Sequence, residues 1–461
     1  MDENMRENQD LAVFLLSLGC SKNTVDSEIM LSLLENEGFR RVDAPEEATH
    51  LVVNTCAFID EAKEEAIDSI LELARVKKQR AGEGIRPRPV LIVTGCMAQL
   101  YARELREEIP EADVIMGNGD LRLVLEAVRN PAAWVLERSL RRGDACPEYP
   151  PRRELISSPG SAYLKISEGC SRRCSFCLIP AIRGPLRSRS MDSILAEARD
   201  LEGRGVRELI LVSQDTLGYG RELYGRPALA ALVSRLLEHT RLPWIRLLYL
   251  SPQGELLDLL PLFEDRRLLP YFDVPVQHAS REVLRAMGRS GDGESYRRLF
   301  DTIRERVPGA VLRTTFLVGF PGEGEAEYRR LLDFARKVRF NHAGVFEFSP
   351  QEGTPAHGMK GRADGKTAQR RKSRLLEIQQ DISRALLSEE VGRELDVLVE
   401  EQGDESAAFG RSYHFAPEVD GLFVLSGAGK AEPGNLVRAR VTGSGVYDLY
   451  GTCTGYRFCT A

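Results

Sequence analysis

The stretch from Ser167 to Pro185, SEGCSRRCSFCLIPAIRGP, constrains this chain more than any other. Cys170, Cys174 and Cys177 fall within eight residues in the spacing C-x3-C-x2-C, and no fourth cysteine or histidine follows to complete a set of four. A structural zinc site closes its tetrahedron with four protein ligands, and a four-iron cluster usually takes four thiolates. Three thiolates on a four-iron cube leave one iron open to a ligand that reacts. Zinc and simple packing are the competing readings, because residues i, i+4 and i+7 share a helical face on which cysteine packs as a small hydrophobe. The local sequence disfavours the helix. Gly169, Ser171 and Ser175 are middling or poor helix formers, and Pro180, Gly184 and Pro185 close the segment. Arg172 and Arg173, between the first two cysteines, favour thiolates over thiols.

At 461 residues the chain has room for about three domains. A net charge of −6 and a pI near 5.8 give no global basic field, which weakens a nucleic-acid partner. The nine cysteines are bunched around motifs rather than spread as a disulfide framework, which suits a reducing cytoplasm. Leu11 to Cys20 (LAVFLLSLGC) imitates a lipoprotein signal, but Asp2, Glu3, Glu7 and Asp10 stand where a signal would be basic, and the apolar run is short. It reads as a buried strand, and no segment approaches the ~18 apolar residues of a membrane span.

In residues 9–130, the apolar runs Leu11–Leu18, Leu51–Asn54 and Val90–Thr94 alternate with helical patterns at Asp26–Gly38, Ile59–Arg80 and Gln99–Ile109. Runs too short for helices, each followed by a periodic polar stretch, indicate βα units around a parallel sheet. Each run ends at a cysteine: Cys20, Cys56 and Cys96. Open α/β sheets bind ligands beyond the carboxyl ends of their strands, so the three converge on a second metal site, again with three ligands. One cysteine at a strand end would be ordinary core packing; three in register are not. Residues 131–155 read as a linker, basic and Pro-rich in its second half, whose Cys146 is an unliganded thiol.

From 156 to 392, strand-like runs recur at Ala162–Ser167, Glu208–Ser213, Trp244–Tyr249, Tyr271–Val274, Val311–Val318 and His342–Phe348. Six βα repeats predict a partial parallel (β/α)6 barrel, with the cysteine loop at the carboxyl-end rim after the first strand. Polar clusters after the other strands nominate Gln214, Asp215, Gln277, His278 and Arg313 for hydrogen bonds to cofactor or substrate. GFPGE from Gly319 lacks the Gly-Lys-Ser/Thr ending of a phosphate loop and reads as a turn before the next helix. Residues 393–461 alternate with glycine turns, predicting a small antiparallel β-barrel. Such barrels often bind RNA, but this one has six Lys/Arg against ten Asp/Glu, which suits a basic protein partner. Cys453 and Cys459 read as packing residues.

The three parts together resemble the methylthiotransferase family of radical S-adenosylmethionine (SAM) enzymes. The motifs are SLGCSKNTVDSE around Cys20, VVNTCAFIDEAKEE around Cys56, TGCMAQ around Cys96, and EGCSRRCSFCLIPAIRGPLRSR around Cys170. That family combines a three-cysteine α/β domain, a radical SAM barrel and a TRAM barrel. The resemblance is greatest to the branch that modifies an aspartate of ribosomal protein S-twelve: Cys-Ser-Lys-Asn resembles its Cys-Pro-Lys-Asn, with Ser21 where proline is usual, and DVPVQHAS and GRSYHFAPEVDG also fit. It implies two 4Fe–4S clusters, one on Cys170, Cys174 and Cys177 that cleaves SAM, and an auxiliary one on Cys20, Cys56 and Cys96 that binds the sulfur to be transferred. It also implies that Phe176 lies against the adenine of SAM. One SAM donates a methyl group to sulfur, and another yields the radical that abstracts hydrogen from the aspartate β-carbon. An electron donor and a sulfur source are implied partners. A tRNA methylthiotransferase and a non-catalytic metal-stabilised binding protein are the alternatives.

Overall fold

Val13, Leu51, Val52, Val53, Leu91, Ile92 and Val93 are fully buried, and the runs that carry them become parallel strands. The computed structural model describes residues 11–82, 88–144, 146–149, 152–156, 158–404, 407–429 and 431–456. Among them the chain forms two compact units. The first comprises the described residues up to Ile156 with Ser167–Ser171 and Leu178–Ser193; the second holds the other described residues.

The first unit is a five-stranded parallel sheet of β1 (Ala12–Ser17), β2 (Arg40–Arg41), β3 (His50–Thr55), β4 (Val90–Gly95) and β5 (Val114–Met116), in the order β2-β1-β3-β4-β5. Every residue of β3 is buried, as expected for a parallel strand covered on both faces. Leu51, Val53, Leu91 and Val93 share a core with Ala66, Ile70, Leu73 and Ala74 of the helix Asp60–Gly82. The edge strands β2 and β5 escape the sequence pattern because they are two and three residues long. The first helix, Ser21–Asn36, starts five residues earlier than its periodicity suggests, directly after Cys20.

In the second unit, six short parallel strands follow in chain order: β6 (Ser161–Lys165), β9 (Glu208–Val212), β10 (Trp244–Leu247), β11 (Tyr271–Asp273), β12 (Val311–Val318) and β13 (His342–Glu347). A small ribbon of β7 (Ser167–Glu168) and β8 (Arg187–Ser188) belongs to the first unit. The six strands form two three-stranded sheets, β10-β9-β6 and β11-β12-β13, bridged where Ile245 pairs with Leu268. They are the expected partial barrel. The helix Gly365–Ser388 leads into a closed five-stranded barrel of β14 (Glu394–Gln402), β15 (Ala408–Arg411), β16 (Phe423–Ser426), β17 (Leu436–Ser444) and β18 (Leu449–Tyr456). The order is β14-β15-β16-β18-β17, with β16 and β18 pairing parallel and the other described pairs antiparallel.

Buried polar and charged groups join the small barrel to β9, β10 and β13. Glu208 accepts from Arg246 Nε at 2.6 Å and from Arg411 Nη2 at 2.7 Å, and Arg411 Nε also donates to Glu400 at 2.9 Å. Arg246 Nη1 donates to the Tyr413 carbonyl at 3.0 Å, and a His342 ring nitrogen lies 2.8 Å from the His414 carbonyl. Burial alone would raise the Glu208 carboxyl, but Arg411 and Arg246 hold it down at about 2.

Candidate active site

Cys20, Cys56 and Cys96 follow β1, β3 and β4, which are neighbours in the sheet, so parallel pairing delivers all three to one edge. Cys20 occupies the N-cap position of Ser21–Asn36, Cys56 directly follows β3, and Cys96 opens the helix Cys96–Leu100. Cys56 and Cys96 are buried; Cys20 is half-buried. The thiols lie within electrostatic reach of one another, since a charge on Cys20 raises both Cys56 and Cys96. Burial pushes Cys96 up to about 11 and also raises Cys56. Burial acts on Cys20 too, but Lys22, the Asn23 N–H and Arg183 outweigh it and bring that thiol below its ordinary value. Gly19, with φ of +92°, makes the crowding possible: a Cβ there would lie 2.7 Å from Cys56 Cβ and 2.9 Å from its sulfur. Among the described residues, no three Cys, His, Asp or Glu side chains converge on a point fit for a single metal ion. The donor chemistry is that of a soft, thiolate-ligated group.

One residue of this site escaped the sequence analysis. Arg183, 2% exposed, donates to Asn23 Oδ1 at 2.5 Å, to Asp26 Oδ2 at 2.6 Å and to the Cys96 sulfur at 3.3 Å. Glu168 lies 3.4 Å away on the same guanidinium. Burial would lower its pKa, but Cys96, Glu168 and Asp26 drive it well above the ordinary arginine value. Its signal was weak: one arginine in IPAIRGP, and the Asn and Asp of CSKNTVD.

Cys170 is buried in the first unit, its N–H donating to the Gly184 carbonyl at 3.0 Å. Cys174 and Cys177 belong to the second unit and are half-buried, with the Cys177 N–H on the Cys174 carbonyl at 3.2 Å. Ser175 between them anchors the loop: its N–H donates to Met287 O and its hydroxyl to Ala286 O, while its carbonyl accepts from Ala356 N. Gly288 permits the approach, since a Cβ there would lie 2.5 Å from the Arg173 carbonyl. Phe176 meets Phe320 edge-on at 6.4 Å, with the Arg289 guanidinium 6.0 Å from its ring centre.

Asp215 positions this loop: it accepts from Arg172 Nε at 2.7 Å and from the Ser251 hydroxyl at 3.2 Å. Gln214 is half-buried beside it. Gln277 follows β11 in the left-handed region, with φ of +70°. His278 is fully buried; its Nδ1 accepts from Ser280 N, so the proton sits on Nε2, which faces Glu323 at 3.5 Å. Glu323 closes the GFPGE turn by accepting from Gly319 N and Arg371.

Arg313 departs from expectation. It is the third residue of β12, near the amino end, and its guanidinium is occupied by Asp273 at 3.1 Å and Asp420 at 3.3 Å. It belongs to the charge network under the small barrel. Cys146 is half-buried, Cys453 packs against the small barrel's core, and Cys459 lies outside the described residues.

Three family models match in turn: Uncharacterized protein family UPF0004 over residues 12–117, the Radical SAM superfamily over 164–335, and the TRAM domain over 391–454. A curated protein from Desulfosudis oleivorans, ribosomal protein uS12 methylthiotransferase RimO, is 45% identical over 96% of this chain and 99% of its own length. Its namesake in Desulforudis audaxviator is 45% identical over 95% of this chain and 96% of its own. The chain belongs to the RimO family. Among solved structures, the radical SAM methyltransferase TsrM from Kitasatospora setae is similar in fold, with a TM-score of 0.56 at 16% identity, covering 76% of this chain and 75% of that one.

The cofactors of this radical SAM, RimO-family chain are accordingly 4Fe–4S and SAM. No helix among the described residues is long and apolar enough to cross a membrane.

Proposed function

We propose that this RimO-family enzyme inserts a methylthio group at the β-carbon of an aspartate in ribosomal protein uS12, the S-twelve protein. The relatives' substrate supports this reading, and one observation carries the chemistry: three cysteines at the ends of three adjacent parallel strands, apart from the C-x3-C-x2-C loop. Cys170, Cys174 and Cys177 hold the cluster that cleaves SAM, and Cys20, Cys56 and Cys96 hold an auxiliary 4Fe–4S cluster that carries the sulfur. When bound, these groups supply an electron to SAM and a sulfur for methylation and transfer. The chain's own residues supply the frame: Ser175 and Asp215 hold the loop, Phe176 offers a face for adenine, and Gln214 and Gln277 contribute polar contacts for SAM or substrate. An electron donor and a sulfur source complete the cycle, and a ribosomal substrate places the enzyme in the cytoplasm.

The small barrel supports a basic protein partner over RNA. Arg393, Arg411, Arg438 and Arg440 each pair with a carboxylate. Glu401, Asp404, Glu418 and Glu432 are exposed with no cationic partner among the described residues. The surface left over is therefore acidic, the wrong sign for a phosphate backbone.

The test is reconstituted enzyme with SAM, sulfide and reductant, given either uS12 or tRNA. A methylthio mass gain on uS12 is expected; a gain on tRNA alone overturns the proposal. In the same assay Cys56→Ala keeps SAM cleavage and loses sulfur insertion. Loss of both activities in a folded Cys56→Ala protein would remove the division of labour between the two cysteine sets.

A further inference from the structure

We infer that Arg183 is a positioning residue that sets the reduction potential of the cluster at Cys20, Cys56 and Cys96, by donating a hydrogen bond from a buried guanidinium to the Cys96 sulfur. The inference rests on the reading of those three cysteines as cluster ligands. A guanidinium presents its N–H groups in a rigid planar fork. Here Nη1 serves the carboxylates, at 2.6 Å from Asp26 and 3.4 Å from Glu168. Nη2 turns instead to Asn23 Oδ1 at 2.5 Å and Cys96 Sγ at 3.3 Å. A purely structural ion pair would need only the Nη1 partners. Asn23 is itself fully buried, its Nδ2 donating to the Leu18 and Thr55 carbonyls at 3.0 Å each, so its oxygen is held where it steers Nη2 toward the sulfur.

The electrostatic consequence has a definite sign. Reduction adds negative charge to the cluster and its thiolates. A donor hydrogen bond to a ligand sulfur stabilises that added charge, and such bonds, with burial, are the protein's levers on cluster potential. Burial keeps water from competing for the sulfur, so the contact acts at low effective dielectric. Arg183 therefore raises the midpoint, and losing the N–H···S contact lowers it.

The test uses the full chain carrying Cys174→Ala, so that the auxiliary cluster is the one observed. Reconstituted protein is titrated against reductant and followed by EPR, with Arg183 intact, as Arg183→Lys, or as Arg183→Gln with Asp26→Asn. The double change removes one charge of each sign and keeps the local balance, so the midpoint reports the lost hydrogen bond. We expect at least a tenfold loss in the reduction equilibrium, about 59 mV for one electron, with a smaller fall for Arg183→Lys. An unchanged midpoint in variants that retain their iron overturns the inference. Should the double variant fail to fold, Arg183→Lys decides by the same midpoint. Loss of iron from both, with folding intact, replaces the tuning role by one in assembly. Absence of any cluster in the Cys174→Ala parent would instead count against the three-cysteine reading beneath it.

Discussion

The two ends of the six-strand barrel differ in how many polar groups they leave reachable. Where the strands meet the small barrel, charged side chains find opposite partners at close range: Glu208 between Arg246 and Arg411, and Arg313 between Asp273 and Asp420. All of these side chains but that of Arg313 are buried, and they hold the small barrel in place. At the carboxyl ends, Asp215, His278 and Glu323 are buried and partnered as well, but Gln214 and Gln277 are half-buried. Tyr249 and Gln277, just beyond β10 and β11, both have positive φ, at 58° and 70°. Cys174 and Cys177 stand half-buried in the loop after the first strands. Positive φ alone does not separate the ends, since Arg339 just before β13 has it too, at 52°; half-buried polar groups at strand ends mark chemistry, whereas mutually satisfied charges mark structure.

Two substitutions should separate those roles most sharply. Cys174→Ala, at the carboxyl end, is expected to abolish SAM cleavage, measured as 5′-deoxyadenosine release, while the urea stability of the cluster-free protein is unchanged. Arg411→Ala, at the amino end, leaves Glu208 with Arg246 alone in a buried site. It should lower stability by about 3–5 kcal/mol, read from the urea midpoint, while folded molecules still cleave SAM. Equal destabilisation by the two variants would erase the contrast.

Much of this was visible in the sequence, for identifiable reasons. The cysteines at the ends of β1, β3 and β4 were legible because short apolar runs announce buried strands, and parallel topology then dictates where their ends meet. The cysteine loop was legible from its spacing together with the glycines, serines and prolines that disfavour a helix there. Arg183 was not, because its pairing with Asn23, Asp26 and Cys96 spans about 90 to 160 residues of chain and leaves no periodic trace. Arg313 was misplaced even though its strand was located correctly. Its position, two residues after Val311 in an eight-residue strand, already assigned it to the amino end. The acidic balance of the small barrel was readable as a count, but its meaning needed partners: Asp420 and Glu400 are consumed by Arg313 and Arg411, while Glu401 and Asp404 are left exposed.

A pH titration should sharpen the amino-end picture further. His342 is buried beside Asp420, whose carboxylate lies 3.7 Å away, with Arg313, His414 and Tyr271 also close. Burial pushes its ring below the ordinary histidine value although Asp420 and the His414 carbonyl oppose the shift. The unfolded chain takes up a proton near pH ~6.5 that the folded chain refuses until lower pH. Stability should therefore fall as pH drops through that value towards the folded one, by no more than about 1.4 kcal/mol per pH unit for this group. His342→Asn should flatten that slope; an identical slope in the variant would show that the ring does not titrate as argued.

The smallest effect is expected at the carboxyl end, from Gln277→Gly. The left-handed conformation costs a side-chain-bearing residue about 1–2 kcal/mol, and glycine relieves that while adding about 0.5–1 kcal/mol of freedom to the unfolded chain. The net gain in stability should lie between about zero and 1.5 kcal/mol. Its value lies in the pairing with function, because removing the amide should slow product formation even as the fold becomes firmer. Both backbone bonds at this position, Gln277 N to Thr315 O and Leu317 N to Gln277 O, survive the change, so the geometry of the rim is preserved. A variant that is both firmer and fully active would make Gln277 a turn residue and confine the carboxyl-end chemistry to the cysteine loop and its anchors.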